Sequence, residues 1–83
     1  MLGMKAVSYT RTAIKALKKM PAKDRNAIMA KLDSYAAGGV EDIVALKGSD
    51  LFRLRHGNWR AIFEEDGTVI AVLKIANRRE VYR

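Results

Sequence analysis

The stretch that decides the fold is residues 51–63, which reads LFRLRHGNWRAIF. Apolar and polar residues alternate on both sides of the sequence HGN at 56–58, and that composition is typical of a tight turn. Alternation with a period of two is the pattern of a β-strand with one buried face. The stretch therefore predicts a β-hairpin that turns one face toward a core.

The alternation also separates the arginines of the hairpin from its large apolar residues. If the apolar residues of the first strand point at the core, Arg53 and Arg55 point away from it. In the second strand the aromatic set is the better core candidate, so Arg60 joins the same outward face. A cationic face is predicted, and its expected members are Lys47, Arg53, Arg55, Arg60, Arg78, Arg79 and Tyr82.

Further strands are predicted before and after the hairpin. The turn DG at 66–67 precedes the run 68–75, which is rich in Val, Ile, Ala and Leu and is typical of a central strand buried on both faces. A last short strand is expected over 79–82, and an N-terminal strand over about 4–9. The segment 40–47 fits either a helical turn or an extended strap.

The first half of the chain carries the helical period instead. Apolar residues recur at spacings of three and four over 13–20, and Thr10 is suited to cap the N-terminus of this helix. Pro21 separates it from a second helix that begins near Ala22, and Pro21 is expected in the first turn of that helix. The glycine pair at 38–39 ends the second helix.

The order of these elements predicts an α+β fold. We expect an N-terminal strand, an antiparallel helix hairpin and a three- to four-stranded antiparallel sheet with the helices on one face. A chain of 83 residues leaves room for a single domain, expected over residues 1–83. It carries neither a signal peptide pattern nor an apolar run long enough for a membrane span, so a soluble cytoplasmic protein with no membrane partner is expected.

Charge and residue chemistry narrow the functions. Sixteen Lys and Arg against nine Asp and Glu give a net charge of +7, which favours an anionic partner. The chain has no cysteine, one histidine and no separated pair of carboxylates that could hold a catalytic metal, so no metal or other cofactor is expected. His56 is a secondary site candidate, because a histidine in a turn more often has a structural use. The charges of the second helix, Asp24 among them, are expected to be ordinary exposed charges.

Two segments carry a resemblance to a known family. Residues 46–63 read LKGSDLFRLRHGNWRAIF, and residues 75–83 read IANRREVYR. In these motifs, and in the order of the elements before them, the chain resembles the RelE/ParE superfamily of toxins from bacterial and archaeal toxin–antitoxin pairs. It looks more like the RelE branch, which cleaves mRNA in the ribosomal A site, than like the ParE branch, which inhibits DNA gyrase.

The resemblance implies a site and partners. By similarity, Arg60 stabilises the phosphate in the transition state, Arg78 assists departure of the leaving group and Tyr82 is the base. The residues implied to contact RNA phosphates are Lys47, Arg53, Arg55 and Arg79. The implied partners are the ribosome with its mRNA and a cognate antitoxin, which is expected to be acidic, partly disordered and to fold on binding.

Elementary chemistry favours the same metal-independent endoribonuclease reaction. A site without a metal needs another nucleophile, and RNA carries its own 2′-OH beside the scissile phosphate, whereas DNA does not. Attack by that hydroxyl adds negative charge at phosphorus, which the fork of an arginine such as Arg60 is well shaped to meet. Cations clustered around Tyr82 would favour its phenolate and so its use as a base.

Two alternative functions stay open. The first is a ParE-like toxin that inhibits DNA gyrase through protein contacts, which the intact set of arginines and tyrosine disfavours. The second is a degenerate relative that only binds its antitoxin, since Arg53 and Arg55 stand where RelE has lysines.

Overall fold

A computed structural model describes residues 5–39 and 41–81, and it shows two helices packed on one face of a five-stranded sheet. The elements are β1 (Ala6–Tyr9), α1 (Arg11–Lys19), α2 (Ala22–Ala36), β2 (Ile43–Ala45), β3 (Leu51–His56), β4 (Trp59–Glu65) and β5 (Val69–Asn77). The strand order is β1-β5-β4-β3-β2, in which β1 runs parallel to β5 and every other pair is antiparallel. The α+β fold predicted from the sequence is confirmed.

Local sequence signals explain where both helices begin and end. The Thr10 hydroxyl oxygen accepts a hydrogen bond from the Ala13 N–H at 3.2 Å, which caps α1. Met20 is extended ahead of Pro21, and Pro21 is the N-cap of α2 rather than its first helical residue as predicted. Gly38 follows α2 with φ of +94°, a left-handed conformation that glycine adopts without steric cost.

The helix pair leads the chain back to the strand from which it departed. The Lys5 N–H donates to the Ala36 carbonyl at 3.0 Å, so the end of α2 lies at the start of β1. At the other end of the helix layer, the first turn of α2 lies beside the end of β3, where Asp24 meets His56. Helix α2 therefore runs along the sheet from the end of β3 back to the start of β1.

The core lies between the helices and the sheet. Phe63 in β4 is fully buried, stacked on Phe52 at a ring separation of 5.6 Å and tilted against Tyr35 of α2 at 5.7 Å. The buried residues around it are Ala13, Leu17, Met20, Ile28, Leu32, Ala36, Leu54, Ala61, Ile70, Val72 and Ile75. Burial of this apolar surface is the main favourable free energy of the fold, since the chain has no disulfide.

Strand β5 differs from the strand predicted over 68–75. Ile62 of β4 pairs with Lys74, whereas Phe63 pairs with Val72, so Leu73 is an extra residue on β5 and forms a β-bulge. The bulge reverses the alternation, because Val72 and Ile75 face the helices although they are three residues apart. The residues of β5 that face away from the helices, Lys74 among them, are only partly buried, so the prediction of burial on both faces is wrong.

Two other segments also depart from the sequence expectations. The undecided segment 40–47 contains strand β2, which pairs with β3. The last strand expected over 79–82 is absent from the described residues, where 78–81 form turns after β5. Over residues 5–39 and 41–81, no helix has the length and apolar character needed to cross a membrane.

Candidate functional site

The face of the sheet opposite the helices, called here the outward face, carries a group of cations near one end. Arg55 of β3 and Arg60 of β4 share this face, as the alternation predicted, and the register makes them direct cross-strand partners. In the next row Arg53 pairs with Ile62, and Ile62 pairs with Lys74 of β5. Four cationic side chains thus belong to two adjacent rows that span three strands.

Arg60 is fixed by the turn that precedes it. One terminal nitrogen, Nη1, donates to the Gly57 carbonyl at 2.7 Å and to the Trp59 carbonyl at 2.8 Å. Gly57 has φ of +57°, and a glycine in the first position is a common solution for a two-residue hairpin loop. These two hydrogen bonds hold the guanidinium, which is only partly exposed, beside the turn.

The Arg55 side chain is held by the carboxylate of Asp42, next to the edge strand β2. Its Nε and Nη2 atoms donate to Asp42 Oδ2 at 2.7 and 2.6 Å, and its backbone N–H donates to the Asp42 carbonyl at 3.1 Å. Asp42 immediately precedes β2, so this pairing joins the edge of the sheet to the end of β3. Since the pair is exposed, an anion arriving at the outward face competes with Asp42 for Arg55.

Three of the predicted site residues, Arg78, Arg79 and Tyr82, follow strand β5. The Arg78 backbone N–H donates to the Asn58 carbonyl at 2.6 Å, which sets Arg78 against the same turn that holds Arg60. Arg79 follows in an exposed turn, where its N–H donates to Asn77 Oδ1 at 3.2 Å. Tyr82, the expected base, lies outside the described residues.

Lys47 is placed at the other end of β3. It is exposed in the turn between β2 and β3, whereas Arg55 lies near the opposite end of a strand roughly 17 Å long. The structure therefore does not bring Lys47 to Arg60 and Arg78. Around the far end lies an open depression of about 540 Å³, lined by Ser49, Asp50, Phe52, Glu64, Glu65, Asp66, Val69 and Ala71.

His56, the secondary candidate, faces the helices rather than the cations. Its cross-strand partner is Trp59, and its Nε2 atom lies 3.3 Å from Asp24 Oδ1 in the first turn of α2. A carboxylate only accepts hydrogen bonds, so Nε2 carries the hydrogen in this contact. The expectation that Asp24 is an ordinary exposed charge is wrong, since it joins helix and sheet.

The perturbed titrating groups lie away from the cationic group. Burial raises the pKa of Glu65, but hydrogen bonds from Lys5 and Tyr35, with the Lys5 charge, outweigh it and leave the pKa below the usual value. The hydrogen bond to Glu65 raises the pKa of Tyr35 to about 12. Burial, followed by the Asp33 charge, raises the pKa of Tyr9 to about 12. Glu65, with Lys5 and Tyr35, links the helix layer to the sheet.

Sequence reasoning missed three members of this region. Lys74 was hidden by the bulge, because plain alternation from Ile70 and Val72 would turn it toward the helices. Asp42 and Asp24 come from segments distant in sequence from the residues they contact, so no local pattern indicates their roles. Over residues 5–39 and 41–81, no three His, Cys, Asp or Glu side chains converge in a way that could hold a metal ion.

Sequence comparison places this arrangement in a family. The sequence profile of the ParE toxin of the type II toxin–antitoxin system parDE matches residues 6–82. Since the match spans nearly the whole chain, the chain belongs to the RelE/ParE superfamily and is a toxin of a type II toxin–antitoxin system. A comparison with curated protein sequences gives no significant match.

Solved structures of RelE toxins share the fold. The RelB–RelE antitoxin–toxin complex from Methanococcus jannaschii matches at 25% identity and a TM-score of 0.75, covering 90% of this chain and 94% of that chain. The RelE–RelB complex from Pyrococcus horikoshii OT3 matches at 25% identity and a TM-score of 0.79, covering 94% and 99%. The RelBE toxin–antitoxin complex of E. coli, at 19% identity, a TM-score of 0.70 and coverage of 88% and 95%, shows the shared fold alone.

Proposed function

We propose that the chain is a ribosome-dependent mRNA endonuclease that inhibits translation. The observation that carries the proposal is the register of β3 on β4, which makes Arg55 and Arg60 direct partners on the outward face. Two cations directly opposite each other repel, and a phosphate between them relieves that repulsion. An RNA phosphodiester is the anion that both the charge and the family favour.

In the proposed mechanism the 2′-OH of the mRNA attacks the neighbouring phosphate. The new P–O bond forms as the bond to the 5′ oxygen of the next nucleotide breaks, leaving a cyclic phosphate and a 5′ oxygen that takes a proton from water to become a hydroxyl. Arg60, held by two carbonyls, donates to the phosphoryl oxygens as their negative charge grows. Arg78 stabilises the departing oxygen, and Tyr82 takes the proton of the 2′-OH.

RNA positioning is assigned to the cations around this centre. Arg53 and Arg55 contact phosphates on the outward face, and Lys74 lies in the same row as Arg53. Arg79 contacts the strand beyond Arg78, while Lys47 contacts RNA at the far end of β3. A single strand that follows the sheet would meet all of these charges.

The antitoxin partner is proposed from the same surface. The archaeal RelE relatives were solved in complexes with RelB antitoxins. A cationic outward face suits an acidic, partly disordered segment that folds on binding and covers the site. Such an antitoxin would silence the toxin by occupying the arginines that RNA needs.

The decisive experiment is primer extension on an mRNA in a purified translation system, with and without ribosomes. We expect cuts within the A-site codon only when ribosomes are present. Arg60→Ala should lower the cleavage rate by about 100- to 1000-fold, because one preorganised donor to the developing charge is lost. Arg11→Ala is the matched control, since Arg11 is an exposed arginine of α1 in the helix layer.

Inhibition of DNA gyrase is the second candidate, favoured by the match to the ParE toxin profile. A supercoiling assay with purified gyrase separates the two functions. Inhibition of supercoiling without any ribosome-dependent cut would replace the RNase proposal with gyrase inhibition. If neither activity occurs while an acidic antitoxin still binds, the chain is a degenerate relative.

A further inference from the structure

The end of β3 is tied to the helix layer by one side-chain contact. His56 is the last residue of β3, and its Nε2 atom donates to Asp24 Oδ1 at 3.3 Å. Asp24 lies in the first turn of α2, whose N-cap, Pro21, supplies no side-chain hydrogen bond. Both side chains are part-buried, with 24% of His56 and 31% of Asp24 exposed. The contact therefore lies between the layers, behind the cationic group.

What this contact holds is the turn that positions Arg60. His56 and Trp59 form the last cross-strand pair of the hairpin, and only Gly57 and Asn58 lie beyond it. The carbonyls of Gly57 and Trp59 accept hydrogen bonds from the Arg60 guanidinium, and the Asn58 carbonyl accepts one from the Arg78 N–H. Any movement of this turn therefore displaces both arginines together.

A hairpin tip is a part of a fold that opens locally at low cost, because few neighbours cover it. A part-exposed ion pair or hydrogen bond adds little to the global free energy of unfolding. At this place, however, it restrains the one segment on which the arginines depend. Its effect should therefore be larger on the order of the turn than on the stability of the whole domain.

We propose that His56 is a positioning residue, held by Asp24, that keeps the Gly57-Asn58 turn in the geometry Arg60 and Arg78 need for catalysis. The role rests on the proposed RNase function, but its effect on the turn does not. His56 touches neither of the two arginines through its side chain. It acts on them through the backbone of the turn, whose carbonyls accept hydrogen bonds from both.

The test uses His56→Phe, which keeps a ring without a donor, and His56→Gln, whose amide nitrogen can take the place of Nε2. Asp24→Ala removes the acceptor, and Asp33→Ala is its matched control, an exposed carboxylate on the same helix. Two quantities are measured on each full-length variant: amide hydrogen exchange of 58–60 by NMR, and the rate and affinity of cleavage on programmed ribosomes. Urea unfolding of each variant reports global stability.

For His56→Phe and Asp24→Ala, we expect exchange at the turn to accelerate about tenfold. We expect the cleavage rate at saturating ribosomes to fall about tenfold, with affinity changed by less than about twofold. The double variant of His56→Phe with Asp24→Ala should exchange and cleave like either single variant, because both changes remove the same contact. His56→Gln should restore both readouts, and Asp33→Ala should change neither.

The outcomes separate this proposal from the proposed function. If Arg60→Ala abolishes cleavage while His56→Phe cleaves and exchanges like the parent, the positioning role is wrong and the RNase function stands. If the parent chain cuts no RNA, amide hydrogen exchange alone decides. Faster exchange at the turn in His56→Phe and Asp24→Ala supports the role, and unchanged exchange overturns it. A uniform loss of stability with no selective effect at the turn also overturns it.

Discussion

Arg55 and Arg60 face each other near the hairpin end of the outward face, an arrangement that costs stability unless the repulsion is offset. Two carbonyls offset the positive charge of Arg60, and the Asp42 carboxylate offsets that of Arg55. The two partners differ in kind, because a carbonyl keeps the arginine fully charged whereas Asp42 neutralises it. Arg55 is therefore available to an anion only in competition with Asp42.

The first prediction concerns that competition. Asp42→Asn should raise the affinity for a short single-stranded RNA at low salt by about two- to fivefold, since an exposed ion pair contributes about 0.2–1 kcal/mol. Fluorescence anisotropy with a labelled oligonucleotide measures the change. Asp33→Asn makes the same chemical change on α2 and should leave affinity unaltered. Equal affinity of Asp42→Asn and the parent would show that Asp42 does not restrain Arg55.

At the scale of elements, the junction of β1, α2 and β4 is held by a partly buried polar cluster. Glu65, at the end of β4, accepts from Lys5 before β1 and from Tyr35 of α2. Its side chain is 11% exposed, so both hydrogen bonds are needed to offset the loss of hydration. The cluster therefore couples the sheet to the C-terminal end of α2.

The second prediction is a pH dependence of stability. Because the pKa of Glu65 is lowered from 4.5 in the native state, the stability it contributes is present above that value and is lost as pH falls through the native pKa. The free energy of unfolding of the parent should exceed that of Glu65→Gln by about 1–3 kcal/mol at pH 7, and the excess should shrink toward pH 3.

Urea titrations at several pH values measure this difference. Glu64→Gln is the matched control, because Glu64 is the exposed neighbour of Glu65 in β4 and faces the other way. Its free energy of unfolding should follow that of the parent across the range. A difference between parent and Glu65→Gln that stays constant down to pH 3 would rule out the charged cluster as its source.

The bulge in β5 is the second feature at this scale. Thr10 holds it, because the Thr10 hydroxyl donates to the Leu73 carbonyl at 2.8 Å and the Thr10 N–H donates to the Val72 carbonyl at 3.0 Å. The same hydroxyl oxygen caps α1. One residue thus fixes both the start of a helix and the extra residue that turns Lys74 outward.

The third prediction follows from that double role. Thr10→Ala should lower the free energy of unfolding by about 1–2 kcal/mol, because the cap of α1 is lost and the Leu73 carbonyl loses its donor. Thr12→Ala, an exposed threonine in α1, should change it by less than about 0.5 kcal/mol. Urea unfolding compares the two variants, and equal effects would contradict the role of Thr10.

At the scale of the whole molecule, the charges of the sheet are polarised along its strands. Arg55, Arg60 and Arg78 lie at the end where the hairpin turns, whereas Glu64, Glu65 and Asp66 lie at the other. The net charge of +7 therefore does not show how unevenly the charges are distributed over the sheet. A polyanion should therefore be attracted to the hairpin end of the outward face, where the arginines lie.

The fourth prediction is the salt dependence that this polarity implies. The affinity for single-stranded RNA should fall steeply with salt, and Arg79→Gln should reduce the slope of log K against log salt by about 1. Arg11→Gln removes the same charge from the helix layer and should leave the slope unchanged. Equal slopes for the two variants would mean that RNA binds by overall charge rather than on the outward face.

The hairpin, the order of elements and the shared face of Arg53, Arg55 and Arg60 follow from the sequence alone. Their physical basis is local: side chains alternate along a strand, helical faces repeat every 3.6 residues, and Pro and Gly mark the ends. For the same reason the burial of Phe63 was predictable from its parity with Trp59 and Ala61.

Only the tertiary structure decides the remaining features of the site. The face of Lys74 depends on a bulge fixed by Thr10, and the state of Arg55 depends on Asp42, thirteen residues earlier in the chain. The link from His56 to Asp24 spans 32 residues and joins different layers. Contacts between distant segments arise from packing, which balances the whole chain at once and leaves no periodic trace in the sequence.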